Sequence, residues 1–280
     1  MIPLRHSCLS PLIAAVFFCF YFIFCPAMPR AAEPQTNIPQ PLPQWVSGDH
    51  YEYQIGFWLF RHAASGSLRW EAHPQGCRVV FEAETQGLVR TLAGNRKEVM
   101  ESILKYDPAA QRFLPVHFQE TFSYGKSIFR KTLSFDYERS QFTLIQELNK
   151  KRTFSIIRRL PREPFEDLLS FLSNLRIGAY GNIQQGSKVL LWVLMKERPT
   201  LMTVYFPQPP EKPKTQACRF YAILSMDRDI TQAKSKTVRG WFSEKFIPLA
   251  GVVENAYFFG DLNVSLLSGG ETEAGTGTLH

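Results

Sequence analysis

The chain has 280 residues, with 32 basic and 25 acidic side chains and a formal net charge of +7. A charge this mild permits contact with anionic headgroups or polysaccharide but does not indicate a nucleic-acid-binding protein. The length suits one large domain or two small ones. No segment between Tyr51 and Ser268 has the composition of a linker, so we predict a single folded domain.

The amino terminus has the three successive regions of a secretory signal. Arg5 precedes an uncharged, mostly apolar stretch over residues 7–29, and small residues follow at 31–32. We therefore predict a signal peptide over residues 1–32 and an exported mature protein without a transmembrane span. An uncleaved anchor is the alternative, because the apolar stretch is as long as the roughly 20 residues that cross a bilayer.

The mature chain has extended or unfolded segments at both ends. Residues 33–47 contain Pro34, Pro39, Pro41 and Pro43, which block regular backbone hydrogen bonding and predict an extended leader. Residues 269–280 are small and polar, and such a segment has too little to bury to fold, so we predict a disordered tail. The folded domain is predicted over residues 48–268.

Two cysteines remain after the predicted signal, Cys77 and Cys218. In an oxidising compartment two cysteines can form a disulfide. The alternative is a pair of buried, unreactive thiols. The spacing in the sequence does not decide between them, because it does not give the distance between the two side chains.

Short segments with hydrophobic residues at every second position predict a β-rich domain. Tyr51, Tyr53, Ile55 and Phe57 show this period of two, which is typical of strands with one buried face. Many such segments separated by turns predict a curved antiparallel sheet, either a half-barrel or an open barrel. The predicted strands are residues 51–59, 66–73, 77–86, 96–106, 112–121, 128–137, 141–148, 152–158, 187–196, 200–206, 218–227, 237–245, 251–259 and 261–267.

Residues 164–176 depart from this alternation and predict one amphipathic helix. Their hydrophobic residues have helical spacing and form one wide apolar face. Pro164 suits the first helical position and Gly178 the end. We expect the apolar face to pack on the concave side of the sheet. Asn174 falls outside that face, so we expect its side chain to contribute little to stability.

No sequence motif predicts catalysis, a metal site or a cofactor. Residues 181–188 resemble a phosphate-binding loop, but Ser187 precedes Lys188, the reverse of the required order. The mature histidines do not have a spacing that converges on a metal. We therefore predict no cofactor and no enzyme activity, and an uncharacterised hydrolase remains only as a third hypothesis.

Basic residues near the middle of the chain are candidates for binding an anionic headgroup. Arg158 and Arg159 lie close to Lys150 and Lys151 in the sequence, and such clusters attract phosphate-bearing lipids. The alternative is a solvated edge strand, where basic side chains prevent aggregation.

Several short segments, taken in order, resemble a bacterial family called domain of unknown function 3108. In this family the helix commonly carries Asp-x-x-Ser followed by Tyr-x-x-Arg. Here Asp167, Ser170 and Arg176 fit, but Ser173 occupies the place of the tyrosine. The resembling segments are residues 48–55 (GDHYEYQI), 64–66 (ASG), 105–115, 166–170 (EDLLS) with 175–176, and 241–251.

The resemblance implies a periplasmic protein of Gram-negative bacteria, with a curved sheet like those of the half-barrels that carry lipoproteins and lipids. The exported protein would be free in the periplasm or, if its signal is not cleaved, anchored in the inner membrane. The resemblance implies no reaction. Arg176, at the end of the predicted helix, is a candidate ligand-binding residue beside Arg158 and Arg159.

These observations lead to a hypothesis of a non-enzymatic binding protein for a lipid-like or acyl ligand, acting in envelope maintenance. Aromatic residues make up 14% of the chain, so an apolar groove on the concave face is one expectation and a filled core is the other. The second hypothesis is an envelope scaffold that binds another protein. Neither hypothesis involves nucleic acid.

Overall fold

The computed structural model describes residues 48–92, 94–161, 164–209, 217–225, 237–256 and 260–270. The predicted signal peptide, the proline-rich leader and nearly all of the predicted tail lie outside these residues. In the described part of the chain, neither helix is long and apolar enough to cross a membrane.

The described strands form one sheet in which nearly all strands that are consecutive in the sequence lie next to each other. Its order is β8-β7-β6-β5-β4-β3-β2-β1-β15-β14-β13-β12-β11-β10-β9, and the described pairs are antiparallel except β9 with β10. The strands are β1 (His50–Phe57), β2 (Phe60–His73), β3 (Gly76–Thr85), β4 (Arg96–Asp107), β5 (Arg112–Tyr124), β6 (Ser127–Asp136), β7 (Gln141–Leu148), β8 (Lys151–Arg159), β9 (Phe165–Glu166), β10 (Lys188–Val193), β11 (Thr200–Tyr205), β12 (Phe220–Ser225), β13 (Thr237–Phe242), β14 (Pro248–Ala256) and β15 (Gly260–Gly270).

This architecture confirms the predicted mainly β fold with a curved, open sheet. β1 pairs with β2 on one side and with β15 on the other, so the first and last strands of the described chain are neighbours in the sheet. β8 and β9 are the two edges and do not pair with each other. The sheet therefore curls without closing into a barrel.

Alternation of side chains determines which face of each strand is buried. In β1, Tyr51, Tyr53 and Ile55 are buried, while Glu52 and Gln54 between them are half-buried. A shift of one residue would turn the apolar set to solvent, so burial of one face fixes the register. The same alternation continues through β3 and β4 and produces one continuous apolar concave face.

The main helix, α2 (Leu168–Arg176), lies inside the curl of the sheet. It begins four residues later than predicted, because Phe165 and Glu166 form β9 and pair in parallel with β10. Asp167 is the N-cap, so Pro164 is not at the first helical position. The helix packs against β3, β4 and β5 on one side, and its Phe171 and Leu172 face β12 to β14 on another.

The prediction that α2 has one buried face and one exposed face is wrong. Every residue from Leu168 to Leu175 is buried, including Ser170, Ser173 and Asn174. The reason is the curvature of the sheet, which surrounds the helix where a flat sheet would cover only one side. The spacing of hydrophobic residues correctly predicted that the apolar side chains are buried. It did not predict that the polar side chains of the same helix are buried as well.

A second helix, α1 (Gly87–Leu92), was not predicted. It occupies the connection between β3 and β4, and Val89 is its buried residue. Gln86 donates its backbone N–H to the carbonyl of Ala63 at 2.8 Å, which holds the start of α1 against β2. Leu88 and Leu92 point to solvent.

The two edges of the sheet approach each other through side chains. The Phe165 ring of β9 lies 5.1 Å from the Phe135 ring and stacks on Tyr137 at 5.9 Å. On the outside, Arg158 of β8 lies 3.7 Å from Glu197, in the turn between β10 and β11. These contacts maintain the curl where no backbone pairing joins the edges.

Because α2 fills the concave face, we expect truncation of its buried side chains to destabilise the whole domain. Leu169 is 0% exposed, so Leu169→Ala should lower the free energy of unfolding by about 2–5 kcal/mol. Urea denaturation followed by circular dichroism measures the change. Leu88→Ala on exposed α1 is the control and should cost under about 1 kcal/mol. Equal costs for the two variants would contradict the central position of α2.

Candidate functional site

The concave face contains one apolar cavity, between α2 and strands β12 to β14. Its volume is about 80 Å³, and Phe171 and Leu172 line its helix side. On the sheet side, Gly240 of β13 and Gly251 of β14 are direct register partners. Two glycines opposite each other leave the concave face without side chains at that point. An added Cβ would meet the Phe242 ring at 2.9 Å at Gly240 but would have only ordinary contacts at Gly251, so the open space lies beside Gly251.

The size of this cavity limits what it can hold. An engineered cavity of about 150 Å³ binds benzene, so a space of 80 Å³ accommodates about half as much, roughly three carbon atoms. The rest of the concave face is occupied by α2 and its apolar contacts. The face is therefore mainly a filled core with a small apolar cavity, and not the wide groove that one hypothesis required.

A buried polar network surrounds the start of α2. The Glu166 carboxylate pairs with the Arg112 guanidinium and accepts hydrogen bonds from the Tyr180 hydroxyl at 2.5 Å and the Asn174 amide at 3.1 Å. Glu166 is 0% exposed. Burial raises the pKa of its carboxyl to about 7, against the lowering effects of Arg112 and these hydrogen bonds.

Asp167 connects α2 to β4. Its side chain accepts the backbone N–H groups of Leu169 and Ser170, both at 2.8 Å, and the Ser102 hydroxyl at 2.6 Å. In return the Ser170 hydroxyl accepts the backbone N–H of Asp167 at 2.8 Å, which completes a capping box. Burial raises the pKa of Asp167 to about 6, although each of these hydrogen bonds favours the ionised form.

Asn174 connects α2 to β5. Its side-chain oxygen accepts the backbone N–H of Phe113 at 2.7 Å, and its amide donates to the Phe113 carbonyl at 2.9 Å. This pair of bonds imitates a strand partner. The helical spacing in the sequence placed Asn174 outside the apolar face and did not indicate that its side chain binds β5. The Glu166 and Asp167 carboxylates before α2 and the Asn174 amide near its end all have partners within the fold. Together they anchor the helix to the sheet.

Arg176 lies at the other end of α2 and is also enclosed. Its guanidinium pairs with Asp49 at 2.5 Å, and both side chains are 2% exposed. It stacks on the Trp70 ring at 4.5 Å, and the Tyr51 hydroxyl donates to Asp49 at 2.7 Å. Arg176 thus fastens α2 to β1 and β2. It does not lie at a surface where an anionic headgroup would reach it.

Ser173, which stands where the resembling family has a tyrosine, also makes a contact between α2 and the sheet. It accepts the indole N–H of Trp70 at 3.0 Å and donates its own hydroxyl proton to the Leu169 carbonyl at 2.8 Å. The small side chain leaves room for the Trp70 ring against the helix.

The other two candidate ligand-binding residues lie elsewhere. Arg158 and Arg159 are exposed on edge strand β8, where Arg158 faces Glu197. The structure does not bring them together with Arg176. Arg239 of β13 borders the apolar cavity, but its side chain alternates to the opposite face of the sheet, where it pairs with Glu254 at 2.5 Å.

Cys77 and Cys218 are both free thiols in the structure. Cys77 is buried in the core on β3, where burial raises the pKa of its thiol to about 12. Cys218 is half-buried just before β12, and burial raises its pKa as well. The raised pKa values lower the fraction of reactive thiolate at both positions.

A second buried polar cluster, which the sequence analysis missed, lies on the concave face of β4, β5 and β6. Lys131 pairs with Glu120, while the two carboxyl oxygens of Glu98 have no hydrogen-bond partner. Burial and then the nearby Glu120 carboxylate raise the pKa of Glu98 well above its ordinary value, against the effect of Lys131. The sequence does carry a signal for this cluster, because Glu98, Glu120 and Lys131 fall at positions where the period of two in their strands calls for a buried side chain. Within the described ranges no three His, Cys, Asp or Glu side chains are grouped as a metal site.

Comparison with known proteins gives a fold likeness and no family. No family model matches the chain, and no curated protein matches it. A crystal structure of a β-barrel-like protein of domain of unknown function DUF1849 from Brucella abortus is similar, with a TM-score of 0.48 and 9% sequence identity over 81% of this chain and 99% of that one. The resemblance to domain of unknown function 3108 therefore rests on its motifs alone. The chain is similar to a β-barrel-like protein whose own function its description does not give.

The contacts of Asn174 make it an important residue for stability. Asn174→Ala removes two buried hydrogen bonds to the Phe113 backbone and one to Glu166, and should cost about 1–3 kcal/mol. Chemical denaturation measures the loss. Asn182→Ala, at an exposed position of the same residue type, is the control and should change stability by less than about 0.5 kcal/mol. A neutral Asn174→Ala would contradict the anchor role.

The raised pKa values of Glu98, Glu166 and Asp167 predict a domain that is more stable in mild acid. These carboxyls keep their protons to a higher pH in the folded protein than in the unfolded chain, where the values are 4.5 and 3.8. For Glu166 and Asp167 this contribution to stability is full below about pH 4 and is lost as the pH rises through about 6 to 7. For Glu98 it is likewise lost as the pH rises through its raised pKa. Thermal unfolding should therefore show a higher Tm at pH 5 than at pH 8.

Glu98→Gln should remove part of this difference and stabilise the domain at pH 8 by roughly 1 kcal/mol. Glu138→Gln, in an exposed turn, is the matched control and should leave the pH profile unchanged. A wild-type Tm that is lower at pH 5 than at pH 8 would contradict the assignment.

Proposed function

We propose that the domain is a non-enzymatic binding protein for a lipid-like or acyl ligand, and that the apolar end of the ligand enters the cavity between α2 and β12 to β14. The observation that carries this proposal is the cavity itself. Its surface is almost entirely apolar, and Gly251 contributes no side chain to it in an otherwise packed interior.

The cavity alone supports only weak binding. Each buried methylene contributes about 0.8 kcal/mol, so roughly three of them give about 2.4 kcal/mol, which is less than the about 4.1 kcal/mol of a millimolar Kd. A ligand that binds more tightly must also contact the surface around the cavity. Arg239 neighbours Gly240 on β13, so its side chain lies on the opposite face of the sheet, where it pairs with Glu254, and it would not hold the headgroup of a ligand in the cavity.

We propose further that the protein works in the bacterial envelope, free in the periplasm or anchored in the inner membrane by an uncleaved signal. The apolar stretch of residues 7–29 supports export. A ligand with an acyl chain suits that compartment. Within the envelope the role would be maintenance by binding, with no reaction at the site.

We also propose that the chain is a divergent relative of domain of unknown function 3108. The residues that carry the resemblance act together in this fold, although they lie far apart in the sequence. Asp49 pairs with Arg176, and Asp167 forms the capping box with Ser170. Motif residues that dock α2 on the sheet would be common to chains that share this enclosed helix.

The cavity is tested by filling it. An added Cβ at Gly251 has only ordinary contacts, 3.7 Å to the Arg239 carbonyl and 3.9 Å to Val264, so Gly251→Leu should fold and occupy the space. Binding of short and long fluorescent fatty acids to the wild type should saturate with a Kd of tens to hundreds of micromolar, and Gly251→Leu should weaken it at least fivefold.

Asn263→Leu is the matched control, because it adds a leucine to the exposed face of neighbouring β15. Its affinity should equal that of the wild type. Circular dichroism confirms that both variants are folded. If the wild type binds no fatty acid, or if both variants bind equally well, the cavity is not a ligand site. The scaffold hypothesis would then be preferred.

A further inference from the structure

The turns at one end of the sheet form a second surface that the proposed function does not use. Because neighbouring strands are antiparallel, the turns that follow β1, β3, β5 and β7 all lie at the same end. We call this end the apolar rim. It consists of residues 57–62, 86–92, 94–96, 124–128 and 148–151.

Large hydrophobic side chains are concentrated on the apolar rim. Of the twelve exposed in the described part of the chain, seven lie there, each between 42% and 77% exposed. At the opposite end, the turns 74–75, 108–111 and 137–140 contribute only Tyr137, whose hydroxyl donates to the Pro115 carbonyl. The seven are Trp58, Leu59, Leu88, Leu92, Tyr124, Ile128 and Leu148.

Backbone hydrogen bonds between neighbouring turns join the rim into one surface. Gly125 donates to the Gly94 carbonyl at 3.0 Å, and Asn149 donates to the Ile128 carbonyl at 2.8 Å. On the other side, Trp58 donates to the Asp261 carbonyl at 3.0 Å. The exposed side chains are therefore held at fixed positions relative to each other.

The two exposed aromatic rings of the rim are positioned by glycines. A Cβ at Gly94 would lie 2.3 Å from the Tyr124 ring, and a Cβ at Gly260 would lie 2.8 Å from the Trp58 ring. Trp58 also has a positive φ of 51°, a conformation that is unfavourable for a bulky residue and usual for glycine or asparagine in a hairpin turn. A tryptophan at this turn is presented to solvent despite that cost.

The charge of the rim is positive. The rim residues themselves include no acid. The accessible acids nearest to them are Glu84, which faces Arg90 at 3.8 Å, Glu147, which faces Arg130 at 3.9 Å, and Asp261 at the start of β15. The turns at the opposite end include the acids Asp107, Asp136 and Glu138. The exposed cations of the rim are Arg61, Arg90, Lys126, Lys150 and Lys151.

We propose that the apolar rim docks the domain on an anionic phospholipid bilayer. Hydrophobic tips on separate turns, with lysines between them, can enter the headgroup region while the lysines remain at the phosphates. Tryptophan and tyrosine favour that interface. The rim extends over about six strand spacings, roughly 29 Å at about 4.8 Å each. Interspersed lysines are unfavourable in the core of a protein interface, so the surface fits a membrane better than a protein partner.

The proposal is independent of the cavity, because the rim and the cavity lining share no residue. Loss of fatty-acid binding in Gly251→Leu would leave membrane docking unchanged. Loss of docking in a rim variant would leave fatty-acid binding unchanged.

A fluorescent label at the rim tests the orientation directly. In a Cys218→Ser background, Leu59→Cys places an environment-sensitive fluorophore on the rim, and Ala109→Cys places it in an exposed turn at the opposite end. With phosphatidylglycerol vesicles, emission should rise at least twofold at position 59 and remain unchanged at position 109. This readout reports insertion at the rim whether or not the amino-terminal segment also binds the membrane. Equal responses at the two positions would overturn the proposal.

A charge-reversal variant tests the lysines. The triple variant Lys126→Glu, Lys150→Glu and Lys151→Glu should bind the vesicles more weakly. The lipid concentration that gives half of the maximal emission at position 59 should rise at least tenfold. The matched control reverses three exposed cations away from the rim, Lys105, Arg139 and Arg159, and should bind as the wild type does. Salt at about 0.5 M screens the attraction between exposed lysines and lipid phosphates, so it should weaken binding of the wild type.

Two outcomes would contradict the charge argument. Phosphatidylcholine vesicles should give at least a tenfold weaker response than phosphatidylglycerol, so an equal response would overturn the choice of an anionic membrane. If both charge variants weaken binding equally, net charge and not the rim governs association. Circular dichroism spectra that match the wild type confirm that each variant is folded.

Discussion

Polar groups at the start of a helix need hydrogen-bond partners, and in this domain water cannot supply them because the sheet encloses α2. Asp167 caps the helix and binds Ser102, while Asn174 binds the backbone of Phe113. These bonds determine where α2 sits and how deep it lies. The burial of the carboxylates and the small size of the remaining cavity follow from that position.

An enclosed helix changes what the concave face can do. A wide ligand groove would need this face to be free, but α2 occupies it and leaves only the space beside Gly240 and Gly251. A chain of many methylenes would require α2 to move. Its anchors at both ends oppose such a movement, because Glu166 pairs with Arg112 at the start of the domain's main helix and Arg176 pairs with Asp49 at its end.

The exposed features of the domain lie at one end of the sheet. Antiparallel strands place alternate turns together, so side chains distant in sequence, such as Trp58 and Leu148, share one rim. The apolar cavity and this rim involve different residues, and each suits contact with lipid in a different way. Under the two proposals, the cavity would accept the end of an acyl chain and the rim would contact the headgroup region of a bilayer.

The sequence by itself determined the class of fold, because a period of two with one apolar face is a local property that each strand carries independently. It also located the main helix to within four residues of its start. It did not show that Asn174 and Arg176 are buried, since a helical pattern reports polarity and not enclosure. The free state of Cys77 and Cys218, the Gly240 and Gly251 pair and the common rim were decided by the tertiary structure alone. Each depends on which distant strands become neighbours, and strand order is not written in any one segment.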